Sequence, residues 1–380
     1  MRQPIYLDYA AATPVDTVVL RLMQPFFSEQ FYNPSAHYGP ARGARAALED
    51  ARASVASSLG ARPSEITFTA GGTESANLAI AGVMQANPGK KLVVSAIEHA
   101  AVLEPAKQYN ANVCPVDTHG IVDVAALEST IDDDTVLVSV MYANNEIGSV
   151  QPLADIVKII KQVRDNRTER RIKTPLYIHT DAAQAPLYLD CNVARLGVDL
   201  MTLNGGKMYG PKQSGILYHH ARVRLQPLIR GGGQELGVRS GTENVAFAVG
   251  FAASLQRAVN EHKQEARRIS QLADSFCKRL IADYGAELHG HPKRRLPNNV
   301  HVSFPNTDNE RILFALDDMG VYAASGSACQ ASSDEPSHVL RALGVDDATA
   351  RSSIRFTIGR GTTENELEVV IGLLKTALTS

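Results

Sequence analysis

The 380-residue chain lacks a charge excess, a long apolar run, a paired-cysteine motif and any internal repeat or low-complexity segment. Lys plus Arg number 38 against 40 Asp plus Glu, a net charge of -2, so the balance gives no electrostatic reason to expect nucleic acid or a membrane surface as partner. No hydrophobic stretch approaches the ~18 residues that a membrane-spanning helix requires. The opening MRQPIYLDYAAATP meets Asp8 before an apolar stretch can grow and is not rich in Arg and Ser, so a cytoplasmic location is expected. Cys114, Cys191, Cys277 and Cys329 show neither Cys-x-x-Cys pairing nor regular spacing, which argues against a disulfide framework or a zinc site. Three of them read as small buried hydrophobes. His289 and His291, in LHGHPKRR, have no third ligand nearby, so no metal site is expected.

What remains is an ordinary globular composition, 44% hydrophobic and 21% charged, long enough for two or three domains and a large core. The β-rich runs EITFTA, KLVVSAIE, TVLVSVMYA, PLYIHTDAA, DLMTLN and GILYHH alternate with helical patterns, which reads as βαβ units around a mostly parallel sheet. Leu48, Ala51, Val55 and Leu59 fall at helical spacing and stop at Gly60. Leu153, Ile156, Ile160 and Val163 do the same after Pro152. The charged stretch Arg164 to Lys173, RDNRTERRIK, is expected to be a solvated surface loop. Beyond about Ala253 a long polar helix precedes the strand-like NNVHVSF and SSIRFTIG, so a smaller α+β domain is expected. Thr363 and Glu366 form a capping box for the last helix.

Three motifs carry chemistry. Lys207 follows two glycines in LNGGKMYGPK, and an amine beside glycines that let a ligand approach can serve as a Schiff-base nucleophile. Asp181 ends the hydrophobic run of YIHTDAAQA, where open α/β sheets bind ligands outside the carboxyl ends of their strands. TAGGTESANLAI places two glycines before a helix start at Thr73, whose free N–H groups suit a phosphate. An amine for an aldehyde, a carboxylate for a pyridinium nitrogen and a phosphate cradle are together the needs of pyridoxal 5'-phosphate.

On these residues, and from YLDYAAATPVD to SSIRFTIGRGTTENE, the chain resembles the cysteine desulfurases of the class V aminotransferase superfamily, in the group with the longer catalytic loop. The resemblance implies an α/β fold of the type I pyridoxal-phosphate transferases. A large cofactor-binding domain over 15–253 would carry a mostly parallel mixed sheet, and 1–14 with 254–380 would form the small α+β domain. It implies that Lys207 holds the cofactor and moves protons at the substrate Cα, that Asp181 pairs with the pyridinium nitrogen, and that His99 stacks on the ring. Asn145 and Gln184 would lie near the cofactor's phenolic oxygen, and Gly72, Thr73 and Asn204 would hold its phosphate, with Thr242 reaching in from a second copy of a homodimer. Arg355, helped by Asn33, would bind the carboxylate of L-cysteine. Cys329, in GSACQASSDEPSHVLRALG, would take the sulfur as a persulfide, leaving L-alanine, and pass it to an acceptor protein in iron–sulfur cluster assembly or another thiolation pathway.

The resemblance departs from the family pattern at two positions. Asn204 and Gly206 stand where many members carry a hydroxyl residue and a histidine for the phosphate, and cofactor binding is expected to survive this. Members that dock an iron–sulfur scaffold continue well beyond the last helix, whereas this sequence reaches only Ser380, so the identity of the acceptor stays open.

Overall fold

The computed structural model describes residues 4–326 and 336–378. Its strands are β1 (Ile5–Tyr6), β2 (Ile66–Thr69), β3 (Lys91–Ser95), β4 (Asn112–Cys114), β5 (Thr135–Ser139), β6 (Tyr177–Asp181), β7 (Leu200–Asn204), β8 (Gly215–His219), β9 (Glu287–Leu288), β10 (Asn299–Ser303), β11 (Val321–Tyr322) and β12 (Ser353–Thr357). A seven-stranded sheet in the order β2-β8-β7-β6-β5-β3-β4 forms the centre. Pairing is parallel from β4 through β3, β5 and β6 to β7, and antiparallel where β8 meets β7 and β2. The fold is therefore the expected α/β type with a mostly parallel mixed sheet. The six runs read from the sequence are β2, β3, β5, β6, β7 and β8.

Helices cover both faces, which is why TVLVS of β5 and YIHTD of β6 are buried along their whole lengths rather than alternating. One face takes the helices Gly72–Ala86 and Ala100–Lys107 through Leu78, Ile80 and Val102. The other takes the helices Gly39–Leu59, Leu153–Glu169 and Val245–Tyr284 through Leu48, Ile156 and Phe251. Gly60 ends the first of these in the left-handed region at φ 67°, the conformation a helix stop asks of glycine. The helix Val245–Tyr284 runs 40 residues without a break across positions 253 and 254.

Arg164 to Lys173 is a loop only beyond Glu169. The helix Leu153–Glu169 continues into it, and Arg167 is only 3% exposed. Its guanidinium donates to the carbonyls of Asp132, Thr135, Thr174 and Pro175, and Arg164 donates to the carbonyl of Leu176 and pairs with buried Asp199. Charge density was a poor guide here because the ends of β5 and β6 present unpaired carbonyls that only a fork of N–H donors can satisfy.

Beside the main sheet lies a three-stranded antiparallel sheet, β12-β10-β9, and the short parallel pair β1-β11. The N-terminal segment joins the two. Leu7 donates to the Tyr322 carbonyl and accepts from Thr357, and the Ala10 N–H donates to the Thr357 hydroxyl at 2.9 Å. This threading delivers Ala10 and Ala11 to the carboxyl end of the central sheet. No helix among the described residues is long and apolar enough to cross a membrane.

Candidate active site

β6, β7 and β2 point the same way, since β7 and β2 are both antiparallel to β8, so Asp181, Asn204 and the turn after Thr69 arrive at one sheet edge. A cavity opens there, lined by Gly72, Thr73, His99, Asn145, Asp181, Gln184, Asn204, Lys207 and Arg355 together with Ala10, Ala11, Ala101, Met141, Ala143 and Ala183. Nine of the expected site residues thus converge. Asn33 and Thr242 do not. Asn33 is exposed, with its Oδ1 accepting from the Ser35 N–H, and exposed Thr242 lines a separate groove with Phe247 and Gln213. Cys329 lies outside the described residues.

Each group in the cavity is aimed by a backbone contact. Lys207 sits in a tight turn after β7, and its Nζ donates to the carbonyls of Ala10 at 2.8 Å and Ala11 at 2.6 Å. Gln184 Nε2 donates to the same Ala10 carbonyl at 3.0 Å. Ala10 and Ala11 stand in the sequence within YLDYAAATPVD, where nothing local marks an alanine carbonyl as an anchor. Asn204 caps the Lys207 turn by accepting the Gly206 N–H at 3.1 Å.

Asp181 ends β6 and accepts from the Ala183 N–H at 2.9 Å. Burial raises its pKa, while the His99 charge, that hydrogen bond and Lys207 pull it down. His99 caps the helix Ala100–Lys107 with Nδ1 accepting from the Ala101 N–H at 3.1 Å, so its neutral ring carries the proton on Nε2. Burial lowers its pKa, and Asp181 opposes this. Beneath Asp181, fully buried His179 is held between Ser139 Oγ at 2.8 Å and Thr202 Oγ1 at 3.0 Å, and burial lowers its pKa to about 3.

The third element is the start of the helix Gly72–Ala86. Gly71 adopts φ 127° and ψ 179°, open only to glycine, and a Cβ on Gly72 would lie 3.2 Å from that of Asn204. A Cβ on Gly215 would fall 2.6 Å from the Gly71 carbonyl carbon. Glycine packing therefore presses this turn against β7 and β8 and leaves first-turn N–H groups beside Asn204.

Arg355, expected by resemblance to bind the substrate carboxylate, is a fully buried arginine at 1% exposure on β12. Its Nη1 donates to the Asn145 carbonyl at 3.1 Å, its Nη2 pairs with Asp8 at 2.6 Å, and its Nε has no partner among the described residues. Of the cysteines among the described residues, Cys114 and Cys191 are buried and Cys277 is half-buried, and burial pushes the Cys114 thiol to about 11. None of the three lines the cavity.

The residues present fit pyridoxal phosphate. Lys207 provides the amine, a buried carboxylate stands across from it, and Gly71 and Gly72 leave a cradle that any Cβ would narrow. At Gly206 a Cβ would meet only ordinary contacts of 3.5 Å, so the missing side chain is not imposed by packing. Asn204 keeps its Nδ2 for an anion, and Lys212 lines the adjoining cleft with Gly72 and Thr73.

The aminotransferase class-V family matches residues 5–370. The cysteine desulfurase IscS of Dictyoglomus turgidum is 42% identical, with 99% of this chain and 94% of that protein covered. Cysteine desulfurase IscS 1 of Archaeoglobus fulgidus is 38% identical over 97% of this chain and 95% of its own. Among solved structures, a NifS-like protein superposes with a TM-score of 0.91 at 34% identity, covering 99% of this chain and 100% of that one. SspA in complex with cysteine gives a TM-score of 0.78 at 34% identity over 93% of this chain and 98% of that one. With family, sequence relatives and superposition all spanning the same cavity-bearing core, the chain belongs to the class-V aminotransferases, a pyridoxal-phosphate-dependent family, and within them to the cysteine desulfurases.

Proposed function

We propose that the chain converts L-cysteine to L-alanine, holding the sulfur as a persulfide on Cys329 and passing it to an acceptor. The convergence of Lys207, Asp181 and Arg355 on one cavity carries this reading. Pyridoxal phosphate bound there supplies an electron sink for the charge left when the substrate Cα proton departs. Lys207 holds the cofactor's aldehyde and afterwards moves that proton. Asp181 keeps a positive ring nitrogen paired, and His99 covers the ring with a neutral imidazole. Asn145 and Gln184 tune the phenolic side, while Gly72, Thr73 and Asn204 hold the phosphate.

Arg355 takes the substrate carboxylate on its planar fork, which places the substrate sulfur for attack by the Cys329 thiolate. An S–S bond forms as the C–S bond breaks. The electron pair stays with the carbon skeleton, which gains a proton and leaves as alanine. One thiol is thereby exchanged for one persulfide, with no other oxidant or reductant required.

A homodimer completes this reading. Phe27 is 58% exposed with its ring 6.4 Å from that of Phe247, which lines the Thr242 groove. Leu236, 70% exposed at a strained φ of 57°, lines another cleft with Ser35, close in sequence to Asn33. Apolar groups exposed beside both expected site residues that lie outside the cavity support a second copy covering them. We also propose a cytoplasmic location, an acceptor in iron–sulfur assembly or another thiolation pathway, and division into a domain over 15–253 and one formed by 1–14 with 254–380.

The deciding experiment incubates the cofactor-loaded protein with L-cysteine and a thiol reductant and measures alanine and sulfide together. Equal amounts of both are expected, lost in Cys329→Ala. Sulfide release that persists in that variant would instead indicate a lyase that needs no enzyme thiol.

A further inference from the structure

We propose that Glu146 sets how tightly Arg355 holds the substrate carboxylate: with a proton it adds no negative charge beside the guanidinium, and once ionised it competes with the ligand for the same positive charge. This rests on Arg355 being the carboxylate receptor, and it adds a positioning residue that acts through Arg355.

The geometry leaves Glu146 little choice of environment. Its N–H donates to Asn144 Oδ1 at 2.8 Å, and its carbonyl accepts from Asn299 Nδ2 at 2.9 Å, both buried amides. Its side chain is 1% exposed, and neither carboxyl oxygen has a hydrogen-bond partner among the described residues. Gly326 packs over it, since a Cβ there would lie 3.5 Å from the Glu146 Cδ. Arg355 bonds the carbonyl of the preceding residue, Asn145, and keeps its own buried Nε unpartnered. One corner therefore holds an acid with two unsatisfied oxygens and a guanidinium with one unsatisfied donor.

The groups around Glu146 decide its charge. The Ser337 hydroxyl beside the carboxyl favours ionisation, and Arg355 on β12 does so to a smaller extent. His301 on β10, opposite Arg355, is kept neutral by burial. Arg295 is engaged by the carbonyls of Ile147 and Asn299. Burial raises the pKa of Glu98, whose carbonyl receives His338 Nε2 at 3.0 Å, well above the ordinary carboxyl value. Asp8 is already paired with Arg355. Burial outweighs the favourable terms and raises the Glu146 pKa to about 7.

With Glu146 neutral, Asp8 and Arg355 sum to zero, and a substrate carboxylate brings the corner to one negative charge. With Glu146 ionised the same step adds a second, which a buried site resists. By reciprocity, a bound carboxylate raises the affinity of Glu146 for its proton.

The test measures KM for L-cysteine and binding of L-alanine between pH 6 and 8.5 in the cofactor-loaded wild type and Glu146→Gln. The ratio of wild-type to variant KM is expected near one at pH 6 and about 3–10-fold by pH 8.5, with the kcat ratio flat. Titration of the substrate thiol and amine is common to both proteins and cancels. Calorimetry in two buffers of different ionisation enthalpy should show the wild type taking up part of a proton on binding L-alanine near pH 7.5, and the variant none. A flat KM ratio, or a wild type that takes up no proton, overturns the proposal. If Glu146→Gln does not fold, the wild-type proton uptake decides alone. Arg355→Lys separates the underlying reading: an unchanged KM there means Arg355 is not the receptor, whereas a raised KM beside a flat Glu146→Gln ratio removes Glu146 only.

Discussion

On the wall of the cavity built by β6, β7 and the N-terminal segment, the reactive side chains meet backbone partners: Lys207 on two carbonyls, Gln184 on one of them, Asp181 and His99 on the N–H two residues ahead. On the wall built by β12 and the turn after Met141, buried polar atoms are left over among the described residues: the Nε of Arg355 and both oxygens of Glu146. The first wall is finished before any ligand arrives. The second carries groups whose satisfaction waits on a ligand or a proton, because a buried unpaired polar atom costs on the order of 1–3 kcal/mol. On the proposed reading, the difference means that cofactor and substrate are recognised in separate ways within one cleft, by pre-set geometry on one side and by charge balance on the other.

The largest test of that contrast is Lys207→Ala. Alanine formation is expected to fall on the order of 10³-fold or more, and borohydride should no longer trap the cofactor on the protein. Trapping that persisted in the variant would show that another amine serves the finished wall.

Gly215→Ala asks whether the walls are separable. Its new Cβ would sit 2.6 Å from the Gly71 carbonyl carbon and push the phosphate turn, so cofactor affinity should weaken roughly tenfold with about 1–3 kcal/mol of lost stability. At saturating cofactor the KM for L-cysteine should move less than about twofold, and a matching shift in KM would break the distinction.

The smallest effects are in stability against pH, where the two walls have opposite signs. His179 has its pKa lowered from 6.5 to about 3, so the unfolded chain binds more protons in that window, and stability is lost as pH falls through it. Glu146 has its pKa raised from 4.5 to about 7, so the folded chain binds more protons there, and its contribution is lost as pH rises from 4.5 to 7. In urea titrations His179→Gln should flatten the acid limb and Glu146→Gln the limb approaching neutrality. Both substitutions flattening the same limb would contradict the assignment.

Most of the central sheet was legible because its strands are buried on both faces and stand as continuous apolar runs between helical patterns. The three-residue β4 and the two-residue β1, β9 and β11 were not, since so short a segment has no periodicity to show. Asp181, Lys207 and the Gly71–Gly72 turn could be picked out because strand ends and glycine turns are local features. The burial of Arg355 and Arg167 was not legible for one shared reason. An arginine in a sequence suggests solvent, yet each guanidinium is buried because carbonyls or a carboxylate from distant segments fill its fork.

The sequence by itself determined the order of strands and helices, the caps and turns that aim single side chains, and the set of residue types that pyridoxal phosphate requires. Only the tertiary structure decided that Ala10 and Ala11 receive Lys207, that Asp8 shares Arg355, and that Glu146 lies buried within reach of its charge. Spacing along the chain fixes contacts a few residues apart through backbone geometry. Contacts across more than a hundred residues depend on how sheets and segments pack, which no local pattern encodes.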